Sequence, residues 1–430
     1  MTFVLCLLYI AVIYVRPGEI IPGWIGFPFV EITGVAAVVS AVGSLIVAPN
    51  RFPKLPNDWC FFGFLGAAIL SLPANGWLGG SYRAFVGLQP LAVFYLLIRV
   101  AVQTERQLRW LVAMFVVLTL FQATNGIVQY HTGVGLGNST AIVVMESGPS
   151  GDGDRQETKR IRGTGIFGDP NDLAMSLVII IPFLFTALLP GGSGFVRRFM
   201  AVAALVIVAY ALFLTQSRGG FMGFAAACAA YAYRRFGRVP SVVIGVVMVG
   251  LLAVGSSRMR ELNSSEDSAQ GRIQAWSAGL GMLKSRPILG VGFRSFTDYH
   301  ERVAHNSFVH SFAELGLVGG YFFVGLFYWF VICNERGRNV AGAAESSLAR
   351  DILASGVGVA VCAFFLSRQY SPVLYVPLVL GAIRVSVTSG TSPQPPFQRT
   401  SDWLLMLVLS GGFLLATYVG ILMLAIWSGS

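Results

Sequence analysis

The chain has 430 residues, of which 55% are hydrophobic and only 12% are charged. Soluble globular domains carry about 25% charged residues, so the composition excludes a soluble domain and indicates an integral membrane protein. The formal net charge is +10. Many of the basic residues lie on loops that we predict to face away from the cytoplasm, so this charge does not indicate nucleic-acid binding.

Thirteen apolar stretches follow one another along the chain and are the candidate membrane spans. Several are shorter than the roughly 20 residues that a perpendicular span needs, so we predict an all-α, polytopic membrane protein with about 12 or 13 transmembrane helices. No fixed-period repeat is visible, and we treat residues 1–430 as a single membrane domain. The stretches cover residues 1–15, 31–48, 58–73, 84–102, 108–129, 173–189, 199–214, 219–233, 240–255, 307–333, 350–366, 371–387 and 402–427.

The distribution of Lys and Arg between alternate loops predicts the orientation. The first stretch has no basic n-region and no cleavage site, so we expect a retained span with its N-terminus inside. The odd-numbered short loops then hold only Arg16, Arg83, Arg218 and Arg368, and the even-numbered short loops hold many more basic residues. Because basic residues accumulate on cytoplasmic loops, the two long loops, 130–171 and 256–306, are predicted to lie on the outer side.

The second long loop is itself basic, which opposes the usual bias toward positive charge inside. Its basic residues are Arg258, Arg260, Arg272, Lys284, Arg286, Arg294 and Arg302. Positive charge on the outer side needs another explanation, and an anionic lipid head group or a pyrophosphate provides one. We therefore expect the active-site elements of this protein in the loop 256–306.

The first long loop offers two possible functional elements. Asp152-x-Asp154 resembles the paired carboxylates that hold a divalent metal in many sugar transferases, although we favour a solvated glycine-rich turn. Further along, Asp169 precedes the next apolar stretch and is predicted to cap that helix by accepting hydrogen bonds from backbone N–H groups. Arg160 or Arg162 is a candidate for contacting a substrate phosphate.

A very short outer turn, Ser217-Arg218-Gly219-Gly220, links two apolar stretches. Gly219 and Gly220 would let a ligand approach the backbone closely, and a helix that starts here offers free N–H groups to an anion. Arg218 would add a bidentate fork suited to phosphate oxygens. The structural alternative is an arginine that ends a span with its charged group in the interface.

Residues 268–286 are predicted to form an amphipathic helix on the membrane surface. Its apolar residues at helical spacing are Ile273, Trp276, Leu280 and Leu283. Ser268 is a possible cap, Arg272 lies in the first turn and Pro287 ends the helix. The following Gly290-Val291-Gly292 is a turn rather than a dinucleotide fingerprint, because it lacks the third glycine and the strand–helix context.

Three histidines follow at a spacing of five residues: His300, His305 and His310. On one helix such residues point about 140° apart, which is poor geometry for a shared metal ion. The five cysteines also lack a zinc or disulfide pattern, so we expect no metal and no cofactor. His305 lies at a polar–apolar boundary near many arginines, and neighbouring positive charge favours a neutral imidazole that is able to act as a base.

The sequence after His305 resembles a known family. His305-Asn306, nine residues and then Gly316-x-x-Gly319 is similar to the signature His-[Asn/Ser/Gln]-x9-Gly-x-x-Gly of the O-antigen ligases and their polymerase and oligosaccharyltransferase relatives. The family signature usually continues with threonine, where this chain has Gly320. Because of this departure, the signature distinguishes a ligase from a polymerase less clearly.

Other motifs extend the resemblance over residues from about 160 to 320, and the arrangement of spans is similar along the whole chain. They are Ser217-Arg218-Gly219-Gly220, Gly271-Arg272 before Ala275-Trp276, Pro287-x-x-Gly290-Val291-Gly292, and Arg162-Gly163 followed by Asp169-Pro170-Asn171. In the family, the second long loop is the large periplasmic loop.

The resemblance implies an inverting, metal-independent glycosyltransferase with its active site at the periplasmic face of a Gram-negative inner membrane. The implied donor is a glycan on undecaprenyl pyrophosphate, and the acceptor of an O-antigen ligase is lipid A-core. The implied roles are catalysis for His305 and pyrophosphate binding for Arg218 and Arg272, with Arg162 as a further candidate. Asn306, Gly219 and Gly220 would support them. This agrees with the physical expectation that cations stabilise a leaving pyrophosphate and that a neutral imidazole accepts a hydroxyl proton.

Three alternatives remain open. Within the family these are an O-antigen polymerase and a protein O-oligosaccharyltransferase, because no short motif encodes the acceptor. From another class, a lipid flippase or transporter is less favoured. Transporters place ionisable residues near the bilayer midplane, whereas the Arg and His residues of this chain cluster on outer loops.

Overall fold

The structure, a computed structural model, describes residues 1–52, 54–147, 155–189, 194–255, 266–340, 347–388 and 400–427. The Asp152-x-Asp154 motif and the basic residues Arg258 and Arg260 lie outside the described residues.

Helices account for most of the described chain. The first eight are α1 (Thr2–Val15), α2 (Pro17–Ile20), α3 (Phe29–Val47), α4 (Pro56–Ala74), α5 (Gly80–Ala101), α6 (Glu105–Thr132), α7 (Pro170–Leu188) and α8 (Phe195–Thr215). The others are α9 (Arg218–Phe236), α10 (Arg238–Gly255), α11 (Glu266–Ser285), α12 (Phe296–Tyr299), α13 (Ser307–Val340), α14 (Ser347–Phe365), α15 (Pro372–Thr388) and α16 (Thr400–Trp427). Short 3-10 turns cover Pro22–Trp24, Pro49–Arg51, Leu136–Asn138 and Gly165–Phe167.

Each predicted apolar stretch coincides with a helix, and the prediction of an all-α polytopic membrane protein is confirmed. Among the described residues, nine helical segments are long and apolar enough to cross a membrane. Two apolar helices fall short of that length, Arg238–Val247 and α15.

The first long loop contains one element that the sequence did not predict, a hairpin. Its strands, β1 (Ile142–Ser147) and β2 (Arg155–Arg160), pair antiparallel.

Close contact between small residues holds α9 in the helix bundle. A Cβ atom added at Gly223 would collide with Cys362 on α14, and one at Gly358 on α14 would lie 2.9 Å from the Gly223 carbonyl oxygen. Association between helices in a membrane depends on this kind of packing, because lipid tails are as apolar as leucine. The glycine- and alanine-rich sequence of α9 is therefore explained by its close approach to α14.

Ion pairs join helix ends on the side of the bundle that carries the even-numbered loops. Arg99 at the end of α5 donates two hydrogen bonds of 2.9 Å to Asp58 in the first turn of α4, and this pair is buried. Arg336 near the end of α13 is partly exposed and pairs with Asp402 at the start of α16, with an N–O distance of 2.6 Å. Removing one member of a buried pair leaves an uncompensated charge, so the Arg99–Asp58 contact fixes the end of α5 against the start of α4.

Helix α13 is broken at Gly316, whose φ of 65° and ψ of −162° are not helical. The chain that follows α11 lies against this break. Val291 and Gly292 donate backbone hydrogen bonds to the carbonyls of Ala313 and Glu314, at 3.1 and 2.9 Å. Leu317 and Val318 donate to the carbonyls of Pro287 and Ile288, at 2.8 and 3.2 Å. The loop thus satisfies backbone groups that the break in the helix would otherwise leave unpaired.

We expect Gly316→Ala to destabilise the protein, because the new Cβ would collide with the Ile288 carbonyl and φ is positive. Left-handed backbone at a non-glycine residue costs about 1–3 kcal/mol before the collision is counted. The measurement is SDS unfolding of the purified protein. Gly43→Ala is the matched control, since a Cβ there has open space and alanine in a helix is favoured over glycine. Equal stability of both variants would contradict this account of the break.

Candidate active site

A cavity of about 580 Å³ opens at the end of the bundle where α7 and α13 begin. Three segments of the chain line it: residues around Asp169 at the start of α7, the segment from Arg294 to Glu314, and the connection from Leu366 to Pro372 between α14 and α15. These segments are far apart in sequence. The fold therefore assembles a single polar site from the first long loop, the second long loop and a short connection.

His305 lies at the edge of this cavity, immediately before α13. Its φ of 49° is left-handed, a conformation that is uncommon for residues other than glycine. The next residue, Asn306, is fully buried, and its Oδ1 accepts hydrogen bonds from the backbone of Phe308 at 2.9 Å and of Val309 at 3.1 Å. Asn306 thus caps α13 and fixes the point where the chain turns out of the helix at His305.

The pKa of His305 is lowered from its ordinary value of 6.5 to about 4. Burial is the largest cause, and the positive charges of Arg272, Arg368 and Arg302 lower the pKa further, while Asp169 opposes them. The imidazole is therefore neutral at physiological pH. The expectation from the sequence identified the arginines as the cause, whereas burial contributes more.

Arg368 is a cavity residue that the sequence analysis did not select as a site residue. Its guanidinium pairs with Asp169 and lies 3.4 Å from Asp172 on α7. Its backbone N–H donates to the Ser307 hydroxyl at 2.8 Å, and that hydroxyl donates to the Leu366 carbonyl at 2.6 Å. One signal was present in the sequence, because Arg368 is a basic residue on a loop predicted to lie on the outer side.

Asp169 is the N-cap of α7, as the sequence predicted, and accepts a hydrogen bond from the Asn171 backbone at 2.7 Å. Although burial opposes it, the Arg368 guanidinium keeps the pKa of Asp169 below its usual range. Asp169 and Asp172 both interact with Arg368. Across the described ranges, no group of three or more His, Cys, Asp or Glu residues is placed to hold a metal ion.

Arg218 is the first residue of α9, and Ser217 caps this helix through a 3.1 Å hydrogen bond from Gly220. The Ser217 hydroxyl also donates to Asn171, a cavity residue, at 2.7 Å. The start of α9 is therefore tied to the cavity. The two glycines serve close helix packing: a Cβ at Gly220 would lie 2.6 Å from Ala174 on α7, and one at Gly219 would lie 2.8 Å from Leu366.

The two arginine candidates of the first long loop lie in different places. Arg160 donates to the Thr215 carbonyl at 2.9 Å and to Asn171 at 3.3 Å, which ties the loop to the end of α8 and the start of α7. Arg162 instead donates from Nε to the Thr140 carbonyl at 2.9 Å. The structure thus brings His305, Arg272 and Arg368 together, and it places Arg160 rather than Arg162 in contact with a cavity residue.

The expectation that His310 points away from His305 is wrong. That geometry requires both residues to lie on one helix, but α13 begins at Ser307 and His305 precedes it. Both histidines line the same cavity. His300 lines a neighbouring cavity, and its Nδ1 is 3.1 Å from the backbone nitrogen of Arg302. The predicted surface helix is present as α11, and it begins at Glu266, so that Ser268 lies inside the helix rather than at its cap.

We expect Arg272→Gln to raise the pKa of His305 from about 4 toward 6.5, because the positive charge of Arg272 is the largest cause after burial. Removing a nearby cation makes the imidazolium form less unfavourable. Histidine-selective NMR titration of the purified protein measures this shift. Arg286→Gln removes an exposed charge from the same loop and is the control. A His305 pKa that stays the same in the Arg272 variant would contradict the electrostatic coupling.

Part of the chain is similar to a known protein family. A family model described as O-antigen ligase matches residues 203–324, a range that runs from α8 into α13 and includes Arg218, Arg272 and His305. No curated protein matches the sequence. The match agrees with the resemblance seen in the motifs. Residues 203–324 of this multi-pass membrane chain are therefore similar to the O-antigen ligase family.

Proposed function

We propose that this protein is an O-antigen ligase, which transfers a polysaccharide from undecaprenyl pyrophosphate to lipid A-core at the periplasmic face of the inner membrane. One observation carries the proposal: a neutral His305 at the edge of a polar cavity, close to Arg272, Arg302 and Arg368. A base with several cations near it suits a reaction that takes a proton from a hydroxyl and releases a polyanion.

In the proposed step, an acceptor hydroxyl oxygen attacks C1 of the donor's first sugar. The new C1–O bond forms on the face opposite the bond to pyrophosphate, which breaks, so the configuration at C1 inverts. The hydroxyl proton moves to the imidazole of His305, and the bonding electrons leave with undecaprenyl pyrophosphate. No divalent metal is required, because the arginines supply the positive charge that a metal would supply.

Arg272 is the best supported of the proposed pyrophosphate ligands, because it is close enough to depress the pKa of His305. We propose Arg218 as a second ligand at the start of α9, where backbone N–H groups also favour an anion. Arg368 joins this set as a cavity residue. Arg162, which contacts the Thr140 carbonyl, remains a weaker proposal for donor binding.

The low pKa of His305 has a consequence for the order of events. A base of pKa about 4 is too weak to accept a hydroxyl proton efficiently at neutral pH. Bound pyrophosphate would neutralise the surrounding arginines and raise the pKa of His305. Donor binding would therefore activate the base, which limits deprotonation to complexes that already contain a donor.

Two family alternatives and one rival class remain. A polymerase or a protein O-oligosaccharyltransferase would use the same cavity with a different acceptor. A lipid flippase or transporter is less favoured, since the ion pairs Arg99–Asp58 and Arg336–Asp402 lie at helix ends, whereas transporters place ionisable residues near the bilayer midplane. The acceptor that supports transfer in a purified assay separates these alternatives.

We expect His305→Ala to fold and to bind the donor lipid but to lose roughly 10²–10⁴-fold in transfer rate, the usual contribution of a general base. The measurement is the initial rate with purified lipid-linked glycan and lipid A-core, with thermal stability followed in parallel. His300→Ala is the matched control, because His300 lines the neighbouring cavity. An active His305 variant, or equal losses in both, would remove His305 from the mechanism.

We expect transfer to continue after exhaustive treatment with EDTA, because the arginines stabilise the leaving group. The assay is the same initial rate, measured with and without chelator and after addition of Mg²⁺ or Mn²⁺. The double variant Asp152→Ala/Asp154→Ala should retain the rate of the unmodified protein. Loss of activity on chelation and its recovery with Mn²⁺ would instead support the Asp-x-Asp motif as a metal site.

A further inference from the structure

The active-site cavity also contains polar groups that carry no formal positive charge and that no step above uses. His310, Ser367 and Gln369 line the cavity, and each holds a buried polar atom without a hydrogen-bond partner: Nδ1 of His310, Oγ of Ser367 and Oε1 of Gln369. His310 is 6% exposed and Gln369 is 2% exposed. We refer to these three residues as the neutral wall of the cavity.

Glu314 holds the ring of His310 in place. The Glu314 carboxylate accepts from the Tyr370 hydroxyl at 2.8 Å and from the Phe296 backbone at 3.0 Å, and its Oε1 is 3.0 Å from Nε2 of His310. Because a carboxylate only accepts, Nε2 of His310 carries the proton of this contact. Nδ1 is then the ring nitrogen without a partner, and the contact with Glu314 fixes its position.

The chemistry of the neutral wall selects the class of ligand. Oε1 of Gln369 accepts hydrogen bonds, whereas the Ser367 hydroxyl either donates or accepts, and Nδ1 of His310 donates when the ring is protonated and accepts when it is not. Buried polar atoms are normally paired, and each exception requires an explanation. A pyrophosphate offers acceptors and negative charge, so it does not pair with Oε1 of Gln369. A ligand with several neutral hydroxyl groups pairs with all three atoms, because a hydroxyl both donates and accepts.

Two aromatic residues complete this side of the cavity. Phe296 and Tyr370 both line it, and the Phe296 ring lies 4.7 Å from the His310 ring, centroid to centroid. Aromatic rings provide a rigid apolar surface for the C–H groups of a ligand. Hydroxyl-pairing atoms beside aromatic rings suit a sugar ring, which presents hydroxyls at its edge and C–H groups on its faces.

We propose that the neutral wall, formed by His310, Ser367 and Gln369, is a subsite for a neutral sugar ring in the cavity that His305 borders. The inference rests on the proposed function only in assuming that the cavity is the site of transfer. The sugar belongs either to the acceptor or to the first unit of the donor.

The partnerless atoms allow a test that separates binding from folding. Gln369→Met removes Oε1 at similar volume, and Ser367→Ala removes Oγ. Since neither atom has a partner in the described protein, replacing it with an apolar group should leave thermal stability unchanged or increase it. The sugar contact should nevertheless be lost. A residue with a merely structural role would show the opposite behaviour, with lower stability and unchanged binding.

The probes are the methyl glycosides of glucose, galactose, N-acetylglucosamine, rhamnose and a heptose, added to the purified full chain in detergent. Saturation-transfer NMR measures their binding. We expect at least one glycoside to bind and its affinity to fall about tenfold in each variant, the effect of losing one hydrogen bond. Gln103→Met is the matched control, because Gln103 follows α5 and does not line the cavity, and it should leave binding unchanged.

Binding that is equal in both variants and the unmodified protein, or binding of none of the glycosides, would overturn the subsite. If Gln369→Met fails to fold, Ser367→Ala decides alone. Transfer assays identify the source of the sugar, since KM rises for lipid A-core if the acceptor occupies the wall and for the lipid-linked glycan if the donor does. If glycosides bind to the unmodified protein but no transfer occurs, the subsite is supported and the proposed function is contradicted. If transfer occurs but the two substitutions leave glycoside binding unaffected, the proposed function is supported and the subsite is contradicted.

Discussion

The site depends on one set of backbone hydrogen bonds, those between the chain at Pro287–Gly292 and the break in α13. A helix inside a membrane satisfies its own backbone groups, and a break leaves carbonyls and N–H groups that no water can pair. Four hydrogen bonds from or to the segment 287–292 satisfy them. Gly316 and Gly290 make this possible. A Cβ at Gly316 would collide with the backbone of the segment 287–292, and a Cβ at Gly290 would collide with the backbone of α13.

That contact positions both sides of the cavity. The segment that follows Gly292 carries Arg294 and Phe296 to the cavity, and the half of α13 before the break carries His310 and Glu314. Glu314 joins the two directly, since it accepts from the Phe296 backbone. Gly316, the first glycine of the signature after His305, thus has a structural role: it lets the second long loop lie against the helix that begins at Ser307.

Charge in the site is balanced rather than simply positive. Arg368 interacts with both Asp169 and Asp172, while the positive charges of Arg272 and Arg302 act on His305. The contacts of Arg368 with Asp169 and Asp172 also hold the start of α7 against the segment between α14 and α15. Because partly buried charges interact more strongly than exposed ones, the arrival of a polyanion would redistribute these contacts and change the basicity of His305.

The sequence by itself determined the helices and selected most residues of the candidate site. Apolar stretches define spans because the bilayer excludes unpaired backbone, and Arg218 and Arg272 with His305 were selected because basic residues on predicted outer loops oppose the usual bias toward positive charge inside. Only the tertiary structure decided the rest. Arg368, His310 and Gln369 join the cavity through contacts between segments far apart in the chain, which local spacing does not encode. For Gly219 and Gly220, the sequence indicated the need for close approach, and the fold determined that the approaching groups are Leu366 and Ala174 rather than a ligand.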